Sequence, residues 1–361
     1  LCLRTGLCYN QPAAGLSKLE AGMDTIQVLS TLRFSDELLD QMRAVSPRLR
    51  ISQQTCHNAG EVAEALANHP DTEILYSFHL PQDALEIAPG LRWLQLPSAG
   101  INHILDHPVM RRDVAVTTVS GIHATPIAEY VFASLLAHRW RVPTWTECQR
   151  EARWPSGRWN LYARPELRDS TLGIVGYGSI GREVGRLGRA FGMRVLALRR
   201  SRGQTKDGYA SEHTGDREGT VPERFFVPEE LHEMLAECDY VVVALPLTHE
   251  TKHLVGEAEL QAMKASAYLV NIARGAIVDE QALVRALREG WIAGAGLDVF
   301  EREPLPDDSP LWAMDNVLIS PHVAGFTPRY DERATALFVE NLGRYLSGEP
   351  MLNLIDKARG Y

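Results

Sequence analysis

This 361-residue chain lacks the residues that a disulfide frame, a zinc site, a membrane span or a nucleic-acid footprint would need. Its five cysteines, Cys2, Cys8, Cys56, Cys148 and Cys238, are scattered, odd in number and free of any C-x-x-C pair. That pattern fits reduced thiols in a cytoplasmic protein. Acid outweighs base, with a formal net charge of -9, so there is no basic excess to neutralise phosphates along a nucleic acid. No apolar run approaches the roughly 20 residues of a membrane span. Repeats and low-complexity tracts are absent too. The segment before Met23, the first methionine, lacks the apolar core and cleavage signal of a secretory leader. Residues 1–23 are expected to be a disordered extension. The partners that remain are small molecules, with neither nucleic acid nor membrane.

What the chain does have is one stretch around which the rest is organised. Leu172-Gly173-Ile174-Val175 runs straight into Gly176-Tyr177-Gly178-Ser179-Ile180-Gly181, a G-x-G-x-x-G. Behind it, Ile180, Val184, Leu187 and Phe191 are spaced to share one helix face. Strand, tight turn and helix in that order give each glycine a task. Gly176 permits the turn, Gly178 lets backbone approach a pyrophosphate, and Gly181 brings the helix close to the strand. The helix start offers N–H groups and a positive dipole end to the phosphates. A lone glycine-rich turn is weak evidence, but with strand and helix both legible it points to a dinucleotide site.

Taken in order, the chain alternates. Strands are predicted at 25–32, 49–53, 74–76, 93–96 and 114–119, with one helix capped by Ser35 and reaching Val45 and another at 60–67. This is a small βαβ domain. Ser98-Ala99-Gly100-Ile101 follows a strand directly, and its small residues suit either an anion cradle or a plain turn. Thr125-Pro126 opens an apolar helix reaching about Trp140, with proline in the first turn. Trp140, Trp145, Trp154 and Trp159 then crowd one segment, which reads equally as a subunit interface or exchanged arm and as an interdomain core. Further strands at 195–198, 240–245, 268–272, 294–299 and 317–320 join 172–175 to make six, separated by helices such as 280–288. Six near-continuous apolar strands describe a parallel, doubly wound sheet. Residues 328–346 form one amphipathic helix with Ala336, Val339, Leu342 and Leu346 among its apolar positions. It is expected to return to the first domain, since the six-strand sheet is already complete.

In an open parallel sheet, ligands sit at the carboxyl ends of the strands. Arg274, Glu303 and His322 each follow such an end. Singly, each has an ordinary explanation as a surface charge or a loop cap. Together, above a dinucleotide site, they suit reduction of a 2-keto acid. A histidine held by a carboxylate is a general acid–base, and an arginine fork grips a carboxylate.

At these residues the chain resembles the D-isomer-specific 2-hydroxyacid dehydrogenase family, of the glyoxylate/hydroxypyruvate reductase kind, from about Thr25 onward. The motifs are the Gly176–Gly181 fingerprint, Asn271-Ile272-Ala273-Arg274-Gly275 with Val278-Asp279, Leu297-Asp298-Val299-Phe300-Glu301-Arg302-Glu303-Pro304-Leu305, and Ser320-Pro321-His322-Val323-Ala324-Gly325. The resemblance implies an α/β protein in which a Rossmann cofactor domain, residues 126–321, is inserted into a split flavodoxin-like substrate domain made of residues 24–125 and 322–361. It implies that Arg274 binds the substrate carboxylate and keto oxygen, that His322 donates a proton with Glu303 hydrogen-bonded to it, and that Ala99 and Gly100 hold the carboxylate through backbone amides. The residues expected around the dinucleotide are Gly176, Gly178, Ser179, Ile180, Gly181, Arg199, Arg200, Ser201, Pro246, Ile272, Ala273, Asp298, Ala324 and Gly325. No metal takes part, and the family's members suggest a homodimer through the cofactor domain.

Two features depart from the general fingerprint. NAD enzymes place an acid at the end of the second strand for the ribose hydroxyls. Here Arg199 stands there, followed by Arg200, Ser201 and Arg202, and guanidinium groups suit a 2′-phosphate. NADPH is therefore the expected cofactor, ahead of NADH. The second departure is a polar stretch at 203–228, longer than most βα connections; it either flanks the adenosine end or, as the preferred reading, is a mobile loop without a specific role. Similar chains include phosphoglycerate dehydrogenases and dinucleotide-sensing corepressors that keep the Arg–Glu–His set. The corepressors prefer NAD(H), so Arg199 and Arg200 count against that alternative. Residues 76–79 and Trp312 are the candidates for shaping the side-chain pocket.

Overall fold

The computed structural model describes residues 24–201, 203, 209–211 and 213–358. The expected extension at 1–23, and Arg202, lie outside the described residues. The chain divides into two compact units, Leu1–Gln95 and Leu96–Tyr361.

In the first unit β1 (Ile26–Ser30), β2 (Leu49–Gln53), β3 (Thr72–Tyr76) and β4 (Trp93–Gln95) run parallel in the order β2-β1-β3-β4. Consecutive residues Val28 and Leu29, Ile74 and Leu75, Trp93 and Leu94 are all buried, as a sheet covered on both faces requires. The two flanking helices start where sequence chemistry places them. Ser35 accepts from the Leu38 N–H to open Asp36–Arg43, and Asn58 accepts from the Glu61 N–H to open Ala59–Asn68.

The second unit contains β5 (Ala115–Thr117) and a seven-stranded, wholly parallel sheet. Its strands are β6 (Thr171–Val175), β7 (Arg194–Leu198), β8 (Arg224–Phe226), β9 (Tyr240–Val243), β10 (Tyr268–Asn271), β11 (Gly294–Leu297) and β12 (Val317–Ile319). They lie in the order β12-β11-β10-β9-β6-β7-β8. The order reverses between β6 and β9, which is where such sheets open a crevice for a ligand. Alternate residues feed two cores: Val241 and Val243 of β9 join one cluster, Tyr240 and Val242 the other.

The sequence reading counted six strands. The seventh, β8, lies inside the 203–228 stretch expected to be a mobile loop, and it pairs with β7 through Leu196–Arg224 and Leu198–Phe226. Three residues with only two apolar side chains carry no readable period.

Gly176, at φ +105°, ends β6, and a Cβ there would come within 2.8 Å of Ala244 and Leu245 beyond β9. At Gly181 a Cβ would lie 2.2 Å from the Gly176 carbonyl oxygen. The helix Ser179–Ala190 can therefore seat on β6 only with glycine there. Of its predicted face, Val184 is fully buried and Ile180 and Leu187 partly so. Phe191 is 40% exposed and stacks on Phe132, with centroids 4.9 Å apart.

The last helix, Tyr330–Ser347, buries Ala334, Leu337, Phe338, Asn341 and Leu342. Ala336, expected on that face, is exposed; the buried stripe runs one position out of phase with it. Ala334 and Leu337 cluster with Val119 and Ile122. Beyond the helix the Ile355 N–H donates to Val116 O at 2.9 Å, so the tail closes back on β5 and the turn after it.

The tryptophan segment is not a core. Trp140 and Trp145 are half-exposed and stacked, and Trp154 and Trp159 are each 81% exposed.

Candidate active site

The candidate catalytic and cofactor groups lie at the carboxyl ends of strands in the second unit or on a turn facing those ends. After β10 the chain makes a tight turn held by one side chain. Asn271 Oδ1 accepts from the Ala273 N–H at 3.1 Å, and its Nδ2 donates to Arg274 O at 3.1 Å. Arg274 is thereby aimed, and its Nη1 donates back to Ala273 O at 2.7 Å. A Cβ placed on Gly100 would lie 2.7 Å from Arg274 Nη2. The small-residue turn and the guanidinium are in direct apposition, so a Cβ at Gly100 would push the guanidinium aside. Burial lowers the Arg274 pKa, with the Glu303 carboxylate acting the other way. The charge remains, as guanidinium charges do in proteins.

His322 Nδ1 and Glu303 Oε2 are 2.7 Å apart. A carboxylate only accepts, so Nδ1 carries a hydrogen and donates, leaving Nε2 as the outward atom. Glu303 is itself oriented, since its Oε1 accepts from the Phe300 N–H at 3.1 Å. His322 sits at φ +55°, a region that non-glycine residues rarely occupy.

The buried Asp298 holds that conformation. Its backbone carbonyl accepts from the His322 N–H at 2.9 Å. Its Oδ1 accepts from the Ser320 hydroxyl at 2.5 Å and the Val323 N–H at 2.9 Å, and its Oδ2 from the Ala324 N–H at 2.9 Å. Tyr130, on the helix Ala124–Trp140, reaches Ser320 Oγ at 2.7 Å. Sequence reasoning placed Asp298 beside the nicotinamide and did not foresee this clamp. The only signal was an acid at one strand end followed, some twenty residues on, by the next strand end.

Two further side chains were missed. Tyr330 donates its hydroxyl to the Pro97 carbonyl, tying the last helix to the turn that bears Ala99 and Gly100. His123 packs at a tilt against Tyr330, with ring centroids 5.5 Å apart and planes 49° apart, and lies beside Gly325. Burial, then Arg333 and Arg274, lower its pKa.

The residues fit a dinucleotide. A Cβ on Gly178 would meet nothing within 4 Å, so backbone N–H groups at the helix start are open to a pyrophosphate. Ser179 and Ile180 follow at that start. Pro246 lies exposed beyond β9, with Ile272 and Ala273 beyond β10 and Ala324 and Gly325 beyond β12. Past β7, Arg199 lies with its guanidinium 4.0 Å over the Phe225 ring. Arg200 Nη2 is 3.5 Å from Glu250 Oε2, and Ser201 is exposed. Trp312 lies apart from these groups in the contacts that it makes, with its indole N–H bound to Pro306 O at 2.9 Å.

Among the described residues, no His, Cys, Asp and Glu side chains group to hold a metal. No helix among them is long and apolar enough to cross a membrane.

Comparison with known proteins agrees with this geometry. Residues 132–324 match the family model for the D-isomer specific 2-hydroxyacid dehydrogenase NAD binding domain. A glyoxylate reductase of Thermofilum pendens is 36% identical over 299 residues, 81% of this chain and 84% of that one. One of Aeropyrum pernix is 39% identical over 285 residues, 76% and 79% of the two chains. The crystal structure of a D-isomer specific 2-hydroxyacid dehydrogenase from Xanthobacter autotrophicus Py2, in complex with NADPH, matches with a TM-score of 0.75 at 30% identity, covering 94% of this chain and all of that one. With its fingerprint at the switch point and its arginine, glutamate and histidine on neighbouring strand ends, this chain belongs to the D-isomer specific 2-hydroxyacid dehydrogenases, NAD(P)-dependent oxidoreductases acting on CH–OH donors.

Proposed function

We propose that the enzyme reduces glyoxylate to glycolate, or hydroxypyruvate to D-glycerate, with NADPH, with Arg274, Glu303 and His322 as its catalytic residues. The apposition of Arg274 to Gly100 carries this reading. A planar guanidinium beside approachable amides at Ala99 and Gly100 accommodates a carboxylate and the adjacent keto oxygen. When bound, the reduced nicotinamide supplies the hydride. The chain's own residues do the rest. Arg274 fixes the plane of the keto acid and offsets charge developing on its oxygen. His322 delivers a proton from Nε2 to that oxygen, while Glu303 accepts the hydrogen bond from Nδ1–H and fixes the ring. The fingerprint amides and Arg199, with Arg200 and Ser201, hold the phosphates.

The small keto acid is supported by the relatives named glyoxylate reductase. Among solved structures, an NADPH-dependent glyoxylate/hydroxypyruvate reductase from Sinorhizobium meliloti also matches, at 25% identity and a TM-score of 0.73. The NADPH preference is supported by arginines standing where NAD enzymes keep an acid. A split substrate domain, 24–125 with 322–361, is supported by the return of the last helix to Val119 and Ile122. A homodimer through the cofactor domain is supported by the exposed indoles of Trp154 and Trp159, which a lone chain would leave in water. A cytoplasmic location is supported by Cys56, Cys148 and Cys238, all buried and free.

A panel of 2-keto acids assayed with NADPH and NADH by cofactor absorbance tests the reading. Glyoxylate and hydroxypyruvate with NADPH are expected to give the largest kcat/KM. Branched or aromatic keto acids turning over faster, or equal use of NADH, would refute the corresponding part. Arg274→Lys separates the clamp from the rest. Lysine keeps the charge but not the fork, so KM for the keto acid should rise and kcat fall together. Unchanged saturation would show that the Ala99 and Gly100 amides hold the carboxylate alone.

A further inference from the structure

The stretch between β7 and β8 had two readings, a flank of the adenosine end and, preferred to it, a mobile loop without a role. Its described residues 213–226 instead make ordered, partly buried contacts with the dinucleotide-binding elements. Asp216 is buried, with 7% of its surface exposed. Its Oδ2 accepts from the Tyr177 hydroxyl at 2.8 Å and the Val221 N–H at 3.0 Å, its Oδ1 from the Thr220 N–H at 3.0 Å, and its carbonyl from Arg182 Nη1 at 2.5 Å. These bonds outweigh the cost of burial and hold its carboxyl below the ordinary range. One residue earlier, the Gly215 N–H donates to the buried Glu183 at 2.6 Å. Tyr177 is the second residue of the fingerprint turn, and Gly185 leaves space for its hydroxyl.

At the other end of the segment, Phe225 of β8 packs edge-on against Tyr177, with centroids 5.4 Å apart, and lies under the Arg199 guanidinium at 4.0 Å. The contacts form one chain: Asp216, Tyr177, Phe225, Arg199. A flat ring beneath a guanidinium restricts it to a plane.

We propose that residues 216–226 are a dinucleotide-selecting element, in which Phe225 positions Arg199 for the 2′-phosphate and Asp216 positions the fingerprint turn through Tyr177. Neither touches the dinucleotide; both are positioning residues. The proposal rests on the NADPH preference put forward above. It adds that the preference is held by the segment after β7 and not by Arg199 alone.

The two residues predict different signatures, because NADPH and NADH share the pyrophosphate and differ in the 2′-phosphate. The test measures Kd for NADPH and for NADH on the full chain by calorimetry. Phe225→Ala should weaken NADPH by roughly three- to tenfold and leave NADH unchanged, with Phe225→Tyr restoring the wild-type ratio. Asp216→Asn should weaken both by a similar factor, on the order of tenfold, because a buried hydrogen-bond network is broken beneath the shared turn. Tyr177→Phe, which keeps the ring, should give the same equal loss and carries this arm if the Asp216 variant does not fold. A merely structural role for Phe225 would weaken both dinucleotides alike, and that result, or no change in either, overturns the proposal. Wild-type protein that binds NADPH and NADH equally overturns the cofactor preference itself. Wild-type protein that favours NADPH while Phe225→Ala keeps the same ratio overturns only the selecting element.

Discussion

His322→Ala is expected to lower kcat by roughly a hundredfold or more, the range that a positioned general acid contributes, while dinucleotide affinity stays the same. The substitution is cleaner here than in most active sites. The loop around residue 322 is held by its own backbone, through the His322, Val323 and Ala324 N–H groups on Asp298. None of those bonds involves the imidazole. Removing the ring deletes the proton donor and leaves Glu303 still bound to the Phe300 N–H. Alanine inherits a φ of +55° that histidine already occupied, so the backbone gains no new penalty from chirality. Turnover near the wild-type value would show that the proton comes from elsewhere, and His123, lying beside Gly325, would be the next group to test.

The second large effect is expected at Arg199. Arg199→Asp should invert the cofactor preference, weakening NADPH by at least tenfold to a hundredfold and strengthening NADH. A charge-assisted contact contributes about 1.5–3 kcal/mol, and ~1.4 kcal/mol is a factor of ten. The aspartate adds repulsion against the phosphate and offers a carboxylate to the ribose hydroxyls. Arg199 is the better position than Arg200. The neighbour faces Glu250 at 3.5 Å with both side chains mostly in water, where such a pair is worth little and its geometry is loose. Arg199 is set on an aromatic ring. Because the site is partly open, the wild-type preference should shrink as salt rises. Equal use of NADH and NADPH by wild-type protein, with the ratio untouched in Arg199→Asp, would sink the assignment.

The parts of the site legible in the sequence were those that glycine and strand ends encode. Gly176 and Gly181 occupy positions where a Cβ has no room, and the three reactive groups follow β10, β11 and β12 as a parallel sheet requires. What stayed hidden shares another physical character. Asp216 lies in polar sequence with no period, and its burial comes from contacts with Tyr177 and Arg182, more than thirty positions away in the chain. Strand β8 is three residues long, below the length at which alternation can be read. Asp298 looked like a ligand-facing acid because sequence distance conceals that Ser320, Val323 and Ala324 fold back onto it. The last helix was found but misphased at Ala336, since alanine signals neither face strongly. The clustered tryptophans were legible as a feature but not as a location, because burial within one chain and burial between chains ask for the same residues.

The clamp at Asp298 also bears on when entropy is lost. Ordering a loop backbone costs roughly 1–2 kcal/mol per residue. In enzymes whose donor loop stiffens only as substrate arrives, that cost is subtracted from the affinity of every binding event. Here a single carboxylate and its carbonyl take up three consecutive amides and a hydroxyl, all through bonds within the chain itself. The disorder of residues 320–324 is surrendered once, when the chain folds. For a keto acid of only a few atoms, which has little binding energy to contribute, an already stationary proton donor leaves that energy for holding the carbonyl in place.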